Sequence, residues 1–570
     1  MIRGNEFLLL PVAVCIGCFA GFSVALMSWA AQIAHVVIYG IPLDVRLSAN
    51  AAVDPVAALA APAIGGLILG WMEWSRRRWK IPNATDPVEA NALRGGNLSL
   101  RDSLIVSAQT LISNGCGASV GLEAGYTQIG AGAASLIGRW LNLRRSDLRL
   151  MVGCGAAGAI AAAFNAPLTG AFYACELIVG VYSVGSAAPI LAASISAAFV
   201  AGHMSGAPYS LEIPVIPAGS FGQSVELVVL AVLISLVGIA TMHASALAER
   251  VLGQKWLPVW IRPAFGGLCI GGLAICTPQV LAAGHGAMVL DLGQSMPALF
   301  ILGIIVLKLF ACTISLASGF RGGLFFASLF VGSLAGKLYA ILLTQLGSGF
   351  AFGLDATSSA LTGMATLGVA IVGGPLTMAF LVLEMTRDFQ VTATVLAACI
   401  VTSVFVRGLF GHSFSTWRLY LRGETVRSGN DIGWLRSLTV SSMMRTDLAT
   451  VRSTATIAEC RKKFQLGSHQ ALFVTDEQNA YRGVVLLPDV FSSDLSGSLD
   501  QNQIISLARY AKIALVGSMN VTSAMKCFEQ AEADILAVVE SSGSIVGFLS
   551  EAYARRRYIE ELNQATGNDY

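Results

Sequence analysis

Charged side chains are scarce in this sequence. Only 12% of its 570 residues are Asp, Glu, Lys or Arg, and 55% are hydrophobic, whereas an ordinary soluble protein carries about a quarter of its residues as charged side chains. The shortage excludes a soluble globular protein over most of the chain. The net charge is only +2, which gives no reason to expect a nucleic-acid partner.

Metal-ligand and catalytic patterns are also missing. The 6 histidines are dispersed, with no pair at the i, i+4 spacing of a helical metal site. Most of the 11 cysteines stand singly in apolar segments, and the CxxC pair Cys15 and Cys18 has no second pair at zinc spacing. No phosphate-binding loop or Ser-His-Asp order stands out. The sequence therefore predicts neither a metal site nor an enzyme.

Long apolar stretches fill roughly the first 412 residues, and about 20 apolar residues cross a bilayer as a helix. We therefore predict a multi-span α-helical membrane protein. Arg76, Arg77, Arg78 and Lys80 follow the second stretch directly, so this loop, and the N-terminus with it, should be cytoplasmic. The stretches lie near 7–35, 53–74, 103–120, 150–180, 187–205, 224–247, 263–284, 298–318, 322–345, 356–383 and 391–410.

The amino-acid composition changes after Gly411: charged residues become frequent and apolar runs become shorter. We predict a membrane domain at 1–423 and a soluble α/β domain at 424–570. Within the latter, 440–491 and 513–555 read as two copies of one unit. The shared order is a helix (456–465; 521–530), a strand (471–475; 535–539) and a second strand beginning with Gly (483–487; 547–549).

The membrane part also repeats, since PLTGAFYACEL (167–177) matches PLTMAFLVLEM (375–385) at identical spacing. Duplicated membrane halves are common in transport proteins, with the site near the bilayer midplane where Gly- or Pro-interrupted helices end. The Gly-rich breaks at 115–132 and 318–336 are the candidates. Their glycines agree at one constant offset: Gly117, Gly121, Leu122 and Gly130 match Gly319, Gly323, Leu324 and Gly332.

Helices that begin inside a membrane favour an anion, because their first N–H groups lack partners and the helix dipole makes that end partly positive. Cation transporters usually place several acidic groups at the site, and here the central carboxylates are few: Glu123, Glu176 and Glu384. A mid-membrane carboxylate costs roughly 3 kcal/mol, so Glu123 is predicted to be functional. The repeated Glu176 and Glu384 also fit a capping role.

At these residues the chain resembles the CLC family of chloride channels and proton-coupled chloride exchangers, with matches from about Asn83 to Gly423. AAAFNAPLTGAFYACE (161–176) is close to the family's AAAFNAPL segment. Gly121 to Gly125 match the GREGP motif, which places Glu123 on the gating glutamate. In family terms Glu123 competes with chloride beside Gly121 and Leu122, and swings outward when protonated. The resemblance also implies two inverted halves.

Other family motifs place further residues at the anion. Gly323-Leu324-Phe325-Phe326 match GxFxP, with Ala327 in place of Pro, so the N–H groups of Leu324 and Phe325 would face the ion. The GSGIP motif aligns with 83–87 and puts Ala84 where the ion-coordinating serine is expected; the neighbouring Thr85 is a candidate substitute. Ser415 falls where the family's last membrane helix carries a tyrosine, and a serine still donates a hydrogen bond.

The exchangers' intracellular proton glutamate falls on Leu177, which cannot carry a proton. Glu176 is then the proton-relay candidate. We favour passive or weakly coupled transport of chloride or a similar anion; the alternatives are a tightly coupled chloride/proton antiporter and a non-conducting membrane sensor. Which anion is carried stays open among chloride, nitrate and fluoride.

The soluble repeats resemble a tandem CBS pair, a module that often binds adenine nucleotides through a Thr/Ser-x-x-Asp turn. The first copy keeps the acid, Asp489, and the second keeps the hydroxyl, Ser550, so an adenine nucleotide at these residues is the one candidate cofactor and no other is expected. The alternative to nucleotide binding is that the CBS pair serves as a dimerising cytoplasmic cap. The resemblance implies a homodimer in the bilayer of a bacterial inner membrane, with the CBS pair cytoplasmic.

Overall fold

A computed structural model describes residues 6–205, 221–253, 257–293, 296–346, 355–411, 413, 416–417, 438–492, 498–540 and 542–566. The chain divides into two compact units, Met1–Asp431 and Ile432–Tyr570. The predicted division between 423 and 424 lies outside the described residues and stays a prediction.

The first unit is built from helices. Among the described residues, 8 helices are long and apolar enough to cross a membrane, and shorter apolar helices lie between them. The helices are α1 (Glu6–Tyr39), α2 (Pro55–Arg78), α3 (Pro87–Leu93), α4 (Leu100–Gly115), α5 (Glu123–Trp140), α6 (Arg145–Phe164), α7 (Pro167–Tyr173, continued by a π turn at Ala174–Val179), α8 (Val184–Ser205), α9 (Phe221–Leu252), α10 (Arg262–Cys276), α11 (His285–Gly293), α12 (Ala298–Ser318), α13 (Phe325–Leu346), α14 (Ala356–Val372), α15 (Pro375–Thr386) and α16 (Phe389–Leu409).

Two apolar stretches that look continuous in sequence, 150–180 and 356–383, are each broken into two helices. Asn165 takes φ +50 at the end of α6, and Pro167 then starts α7. At the equivalent place Gly373 takes φ +90, and Pro375 starts α15. A proline at the first helical position lacks an N–H that would be unpaired anyway, so it favours a new helix start. Apolarity alone does not register such breaks.

Glycines bring helices into close contact in both halves. A side chain at Gly130 of α5 would collide with the carbonyl of Gly155 in α6, and one at Gly332 of α13 would collide with that of Gly363 in α14. Small residues allow helix backbones to approach closely where lipid provides no hydrophobic drive for association. The α5–α6 and α13–α14 pairs therefore pack alike.

Each half also caps a helix of the other half. Glu384 accepts the N–H groups of Leu168 and Thr169 at 2.7 and 2.9 Å, and the Thr169 hydroxyl at 2.6 Å. Glu176 accepts the corresponding three groups of α15, from Leu376 N, Thr377 N and Thr377 Oγ1, at 3.0, 2.9 and 2.6 Å. A carboxylate at a helix N-terminus satisfies otherwise unpaired N–H groups and complements the helix dipole. The two PLT segments are thus held reciprocally.

The second unit contains two similar three-stranded sheets, confirming the predicted repeat. In each sheet a short first strand pairs in parallel with the second, which pairs antiparallel with the third. The prediction missed both short first strands. The elements are β1 (Thr450–Arg452), α17 (Ile457–Lys463), β2 (Ala471–Thr475), β3 (Tyr481–Leu486), β4 (Leu515–Val516), α18 (Val521–Ala531), β5 (Ile535–Val539), β6 (Ile545–Ser550) and α19 (Glu551–Thr566).

The two copies share one core. Phe473 of β2 and Phe548 of β6 have ring centroids 5.3 Å apart, and buried residues of both sheets form one apolar cluster. In the turn after β2, Asp476 accepts the N–H of Ala480 and pairs with Arg482, which together hold the pKa of this carboxyl below its usual range. Because the apolar cluster includes residues of both sheets, the two copies form a single packed pair.

Candidate functional site

The two Gly-rich breaks meet directly. Gly121 N donates to Gly323 O at 2.9 Å, and Gly323 N donates to Gly121 O at 3.2 Å, which forms an isolated antiparallel bridge. The flanking contacts are reciprocal too. The N–H of Ser119 donates to Ser315 Oγ at 3.1 Å, and the N–H of Arg321 donates to Ser113 Oγ at 3.0 Å. The starts of α5 and α13 are thereby held against each other.

The Glu123 side chain folds back over this bridge. It is buried, with 5% of its surface exposed. A side-chain carbon added at Gly121 would overlap its carboxylate, and one added at Gly323 would lie 3.3 Å from Oε2. Oε2 itself has no hydrogen-bond partner among the described residues. A buried carboxylate oxygen without a partner is costly, so this position is explained better by function than by stability.

A cavity of about 160 Å³ lies next to the carboxylate. Its wall combines residues 320–325 of the second break with the start of α3, parts of α4 and α5, the end of α7 with its π turn, and the end of α14. The first N–H groups of α13 have no acceptor within their own helix, and the helix dipole adds a partial positive charge there. The cavity thus offers amides and a competing carboxylate. The described lining residues are Ala84, Asp86, Pro87, Val88, Val106, Thr110, Glu123, Ala124, Thr127, Gln128, Tyr173, Ile178, Phe320, Arg321, Gly322, Gly323, Leu324, Phe325, Ile371 and Val372.

A larger cavity, of about 660 Å³, lies on another side of the first break. Leu122 and Tyr126 line it, while their neighbours Glu123 and Ala124 line the smaller cavity. Arg46, His35 and other polar side chains also face the larger cavity. The turn from Gly121 into α5 therefore stands between two spaces, which is where a gating side chain would act.

Most of the predicted anion-site residues fall around this turn. Ala84, Glu123, Gly323, Leu324 and Phe325 line the smaller cavity, and Leu122 lines the larger one. Gly121 forms the bridge. Thr85 is buried and is not among the lining residues described; its carbonyl accepts Gln128 Nε2 at 3.0 Å. Ser415 lies outside the described residues.

Tyr173 and Arg321 are among the lining residues that were not predicted from the sequence. Tyr173, which carries a hydroxyl, and Arg321, which carries a positive charge, both line the smaller cavity. Arg321 could have been found, because it is the single charged residue between Lys308 and Lys337, just as Glu123 is the single one between Asp102 and Arg139. Tyr173 gave no such signal, since an aromatic residue near a helix end usually packs in the core.

Glu176 lies away from the smaller cavity's described lining and serves as the cap of α15. Leu177 lies close to Gly373, where a side-chain carbon would be 3.2 Å from Leu177 Cδ2. In the second unit, Asp489 pairs with Arg509 at 2.8 Å, and Ser550 ends β6. The proton-relay role of Glu176 and the nucleotide-binding roles of Asp489 and Ser550 stay predictions.

This architecture defines a membrane transport protein with two breaks meeting at a buried carboxylate. The chain matches the voltage gated chloride channel family over residues 63–407 and the CBS domain over 440–495. It therefore belongs to the CLC chloride transporter family and carries a C-terminal CBS pair, and members of this family are channels and transporters rather than enzymes.

Relatives agree with this assignment. The chain is 30% identical over 419 residues to the voltage-gated ClC-type chloride channel ClcB of Escherichia coli O17:K52:H18, covering 72% of this chain and 97% of that protein. Among solved structures, it is similar to a slow cyanobacterial Cl⁻/H⁺ antiporter, with TM-score 0.61, 21% identity, and coverage of 73% and 97%. A CLC-type fluoride/proton antiporter gives TM-score 0.58 and 19% identity over 70% and 95%.

Proposed function

We propose that this protein carries chloride or a similar small monovalent anion between the two cavities, with Glu123 as the gate. The observation that carries the proposal is the unpaired Glu123 Oε2, lying beside Gly121 and Gly323 where α5 and α13 begin. An anion stabilised by the N–H groups at the starts of α5 and α13 would compete with the Glu123 carboxylate for the same place. Protonation would remove the negative charge and release the side chain.

Transport is passive or weakly coupled to protons in this proposal. Leu177 has no titratable group, and the Glu176 carboxylate is engaged by three donors of α15. Tight exchange is the second candidate, because two similar solved structures are described as antiporters. The related E. coli protein is described as a chloride channel, which fits the first.

The assembly and orientation follow the family resemblance. We propose a homodimer with one pathway per subunit, embedded in a bacterial inner membrane with the N-terminus and the CBS pair in the cytoplasm. The cluster of Arg76, Arg77 and Arg78 at the end of α2 supports this orientation. Cysteine accessibility at that end of α2, probed from each side of oriented vesicles, would test it.

Reconstitution into liposomes tests the transport itself. Purified protein is placed under a chloride gradient, and chloride efflux and internal pH are recorded together. Chloride efflux above that of protein-free liposomes, without uphill proton movement, supports passive transport. Uphill proton movement driven by chloride would establish exchange despite Leu177. Absence of both fluxes, with nitrate and fluoride gradients also tried, would contradict the proposal and favour a sensor.

A further inference from the structure

The residues lining the smaller cavity differ in whether their hydroxyl groups already donate a hydrogen bond within the protein. Thr110 Oγ1 donates to Val106 O at 2.9 Å, and Thr127 Oγ1 donates to Glu123 O at 2.9 Å. Both threonines therefore use their protons within their own helices, a common arrangement for Ser and Thr in helices. The hydroxyl of Tyr173 forms no hydrogen bond with any other described residue. Its proton is available to whatever occupies the cavity.

Other side-chain donors in the same wall do not replace it. The Gln128 amide donates to Thr85 O at 3.0 Å and to Ser103 Oγ at 3.3 Å, so both of its N–H groups are engaged. Ala84 lies in the wall at the aligned serine position, and its methyl group donates nothing. The Tyr173 hydroxyl is thus the neutral side-chain donor left for an occupant among the described lining residues.

The ring of Tyr173 is held in place by aromatic packing. Its centroid lies 6.1 Å from that of Phe325, which in turn lies 4.8 Å from the Phe164 ring. Tyr173 is also the last residue of α7, whose first turn is fixed by Glu384. Phe325 therefore helps to position the Tyr173 ring. Phe325 is also the first residue of α13 and lines the cavity. A hydroxyl donor held in this way loses little conformational entropy when it binds an ion.

We infer that the Tyr173 hydroxyl donates a hydrogen bond to the transported anion in the smaller cavity and supplies the donor that Ala84 lacks. The inference rests on the proposed function and adds a residue that sets anion affinity and selectivity. A phenolic O–H favours occupants that are good hydrogen-bond acceptors, such as chloride, over weak acceptors of the same charge, such as thiocyanate. A hydrogen bond to a charged group is stronger than one between neutral groups.

Tyr173→Phe tests the inference because it removes only the hydroxyl. In liposome flux assays, its half-saturating chloride concentration should rise about tenfold, while thiocyanate transport changes little. Tyr339→Phe is the matched control: its hydroxyl donates to Glu226 O at 3.2 Å, and Tyr339 is not among the described lining of either cavity. The control should keep the wild-type chloride dependence and selectivity.

A second variant restores a hydroxyl at another point of the same wall. Ala84→Ser added to Tyr173→Phe should recover part of the lost chloride preference. Equal chloride dependence and selectivity in wild-type protein and Tyr173→Phe would overturn the inference. If wild-type protein itself shows no anion flux above that of empty liposomes, the proposed function fails instead, so the two failures are distinguishable.

Discussion

The two halves of the membrane unit agree in architecture and differ in chemistry. Gly121 and Gly323 bond to each other, and the glutamates that cap α7 and α15 make matching sets of hydrogen bonds. At the constant offset between the breaks, however, Glu123 corresponds to Phe325, and Ser119 corresponds to Arg321. The shared residues hold the two breaks together. Of the residues that differ, Glu123, Phe325 and Arg321 line the smaller cavity, so the asymmetry carries the proposed function.

The largest effect is expected where the halves agree. Glu176→Ala and Glu384→Ala should each lower stability by about 2–4 kcal/mol, because each leaves two N–H groups and a threonine hydroxyl without their acceptor. Thermal unfolding of the detergent-solubilised protein should show similar decreases for both. A large decrease in only one variant would contradict the reciprocal capping.

The Gln variants of these two caps separate stability from proton transfer. If Glu176 relays protons, Glu176→Gln should alter chloride-driven proton movement, whereas Glu384→Gln should not, although both keep one acceptor oxygen. If passive transport is correct, neither variant should change proton movement. The pair therefore tests the Glu176 prediction with a control of matching geometry.

The next effect should separate two glycines that occupy equivalent positions. The methyl carbon added by Gly121→Ala would overlap the Glu123 carboxylate, whereas the methyl carbon added by Gly323→Ala would lie 3.3 Å from Glu123 Oε2. Because the Glu123 side chain can move aside, Gly121→Ala should change flux and its pH dependence several-fold with little loss of stability. Gly323→Ala should have the smaller effect. Equal flux changes in the two variants would mean that Glu123 does not rest against Gly121.

A smaller effect is expected from Arg321. Arg321 lines a cavity whose wall also contains Glu123 and Asp86, so removing its positive charge in Arg321→Gln should weaken apparent anion affinity. Partial screening leaves an attraction of about 1 kcal/mol, or roughly fivefold in half-saturating concentration. Arg407→Gln, near the end of α16 and outside the described lining of both cavities, is the control. An unchanged affinity in Arg321→Gln would exclude this role.

Much of this organisation can be predicted from the sequence, because internal repeats and charges isolated within apolar stretches are visible in the sequence itself. The internal repeat indicates that the breaks at Gly121 and Gly323 are equivalent, and the isolated carboxylate marks Glu123. Helix breaks at Asn165 and Gly373 depend on backbone dihedrals that apolarity does not encode. Tyr173 could not be singled out, because its role depends on which neighbouring hydroxyls already have acceptors, and that is a property of the packed structure.

The central claim is that the Glu123 carboxylate competes with the anion and is released by a proton. Chloride flux through wild-type protein and Glu123→Gln should be measured in liposomes from pH 8 down to about pH 4, a range that includes the ordinary pKa of a glutamate. Glu249→Gln, at the exposed end of α9, is the control. The account predicts that wild-type and control flux rise as pH falls, while Glu123→Gln is already fast at pH 8 and nearly independent of pH. A wild-type pH profile in Glu123→Gln would contradict it.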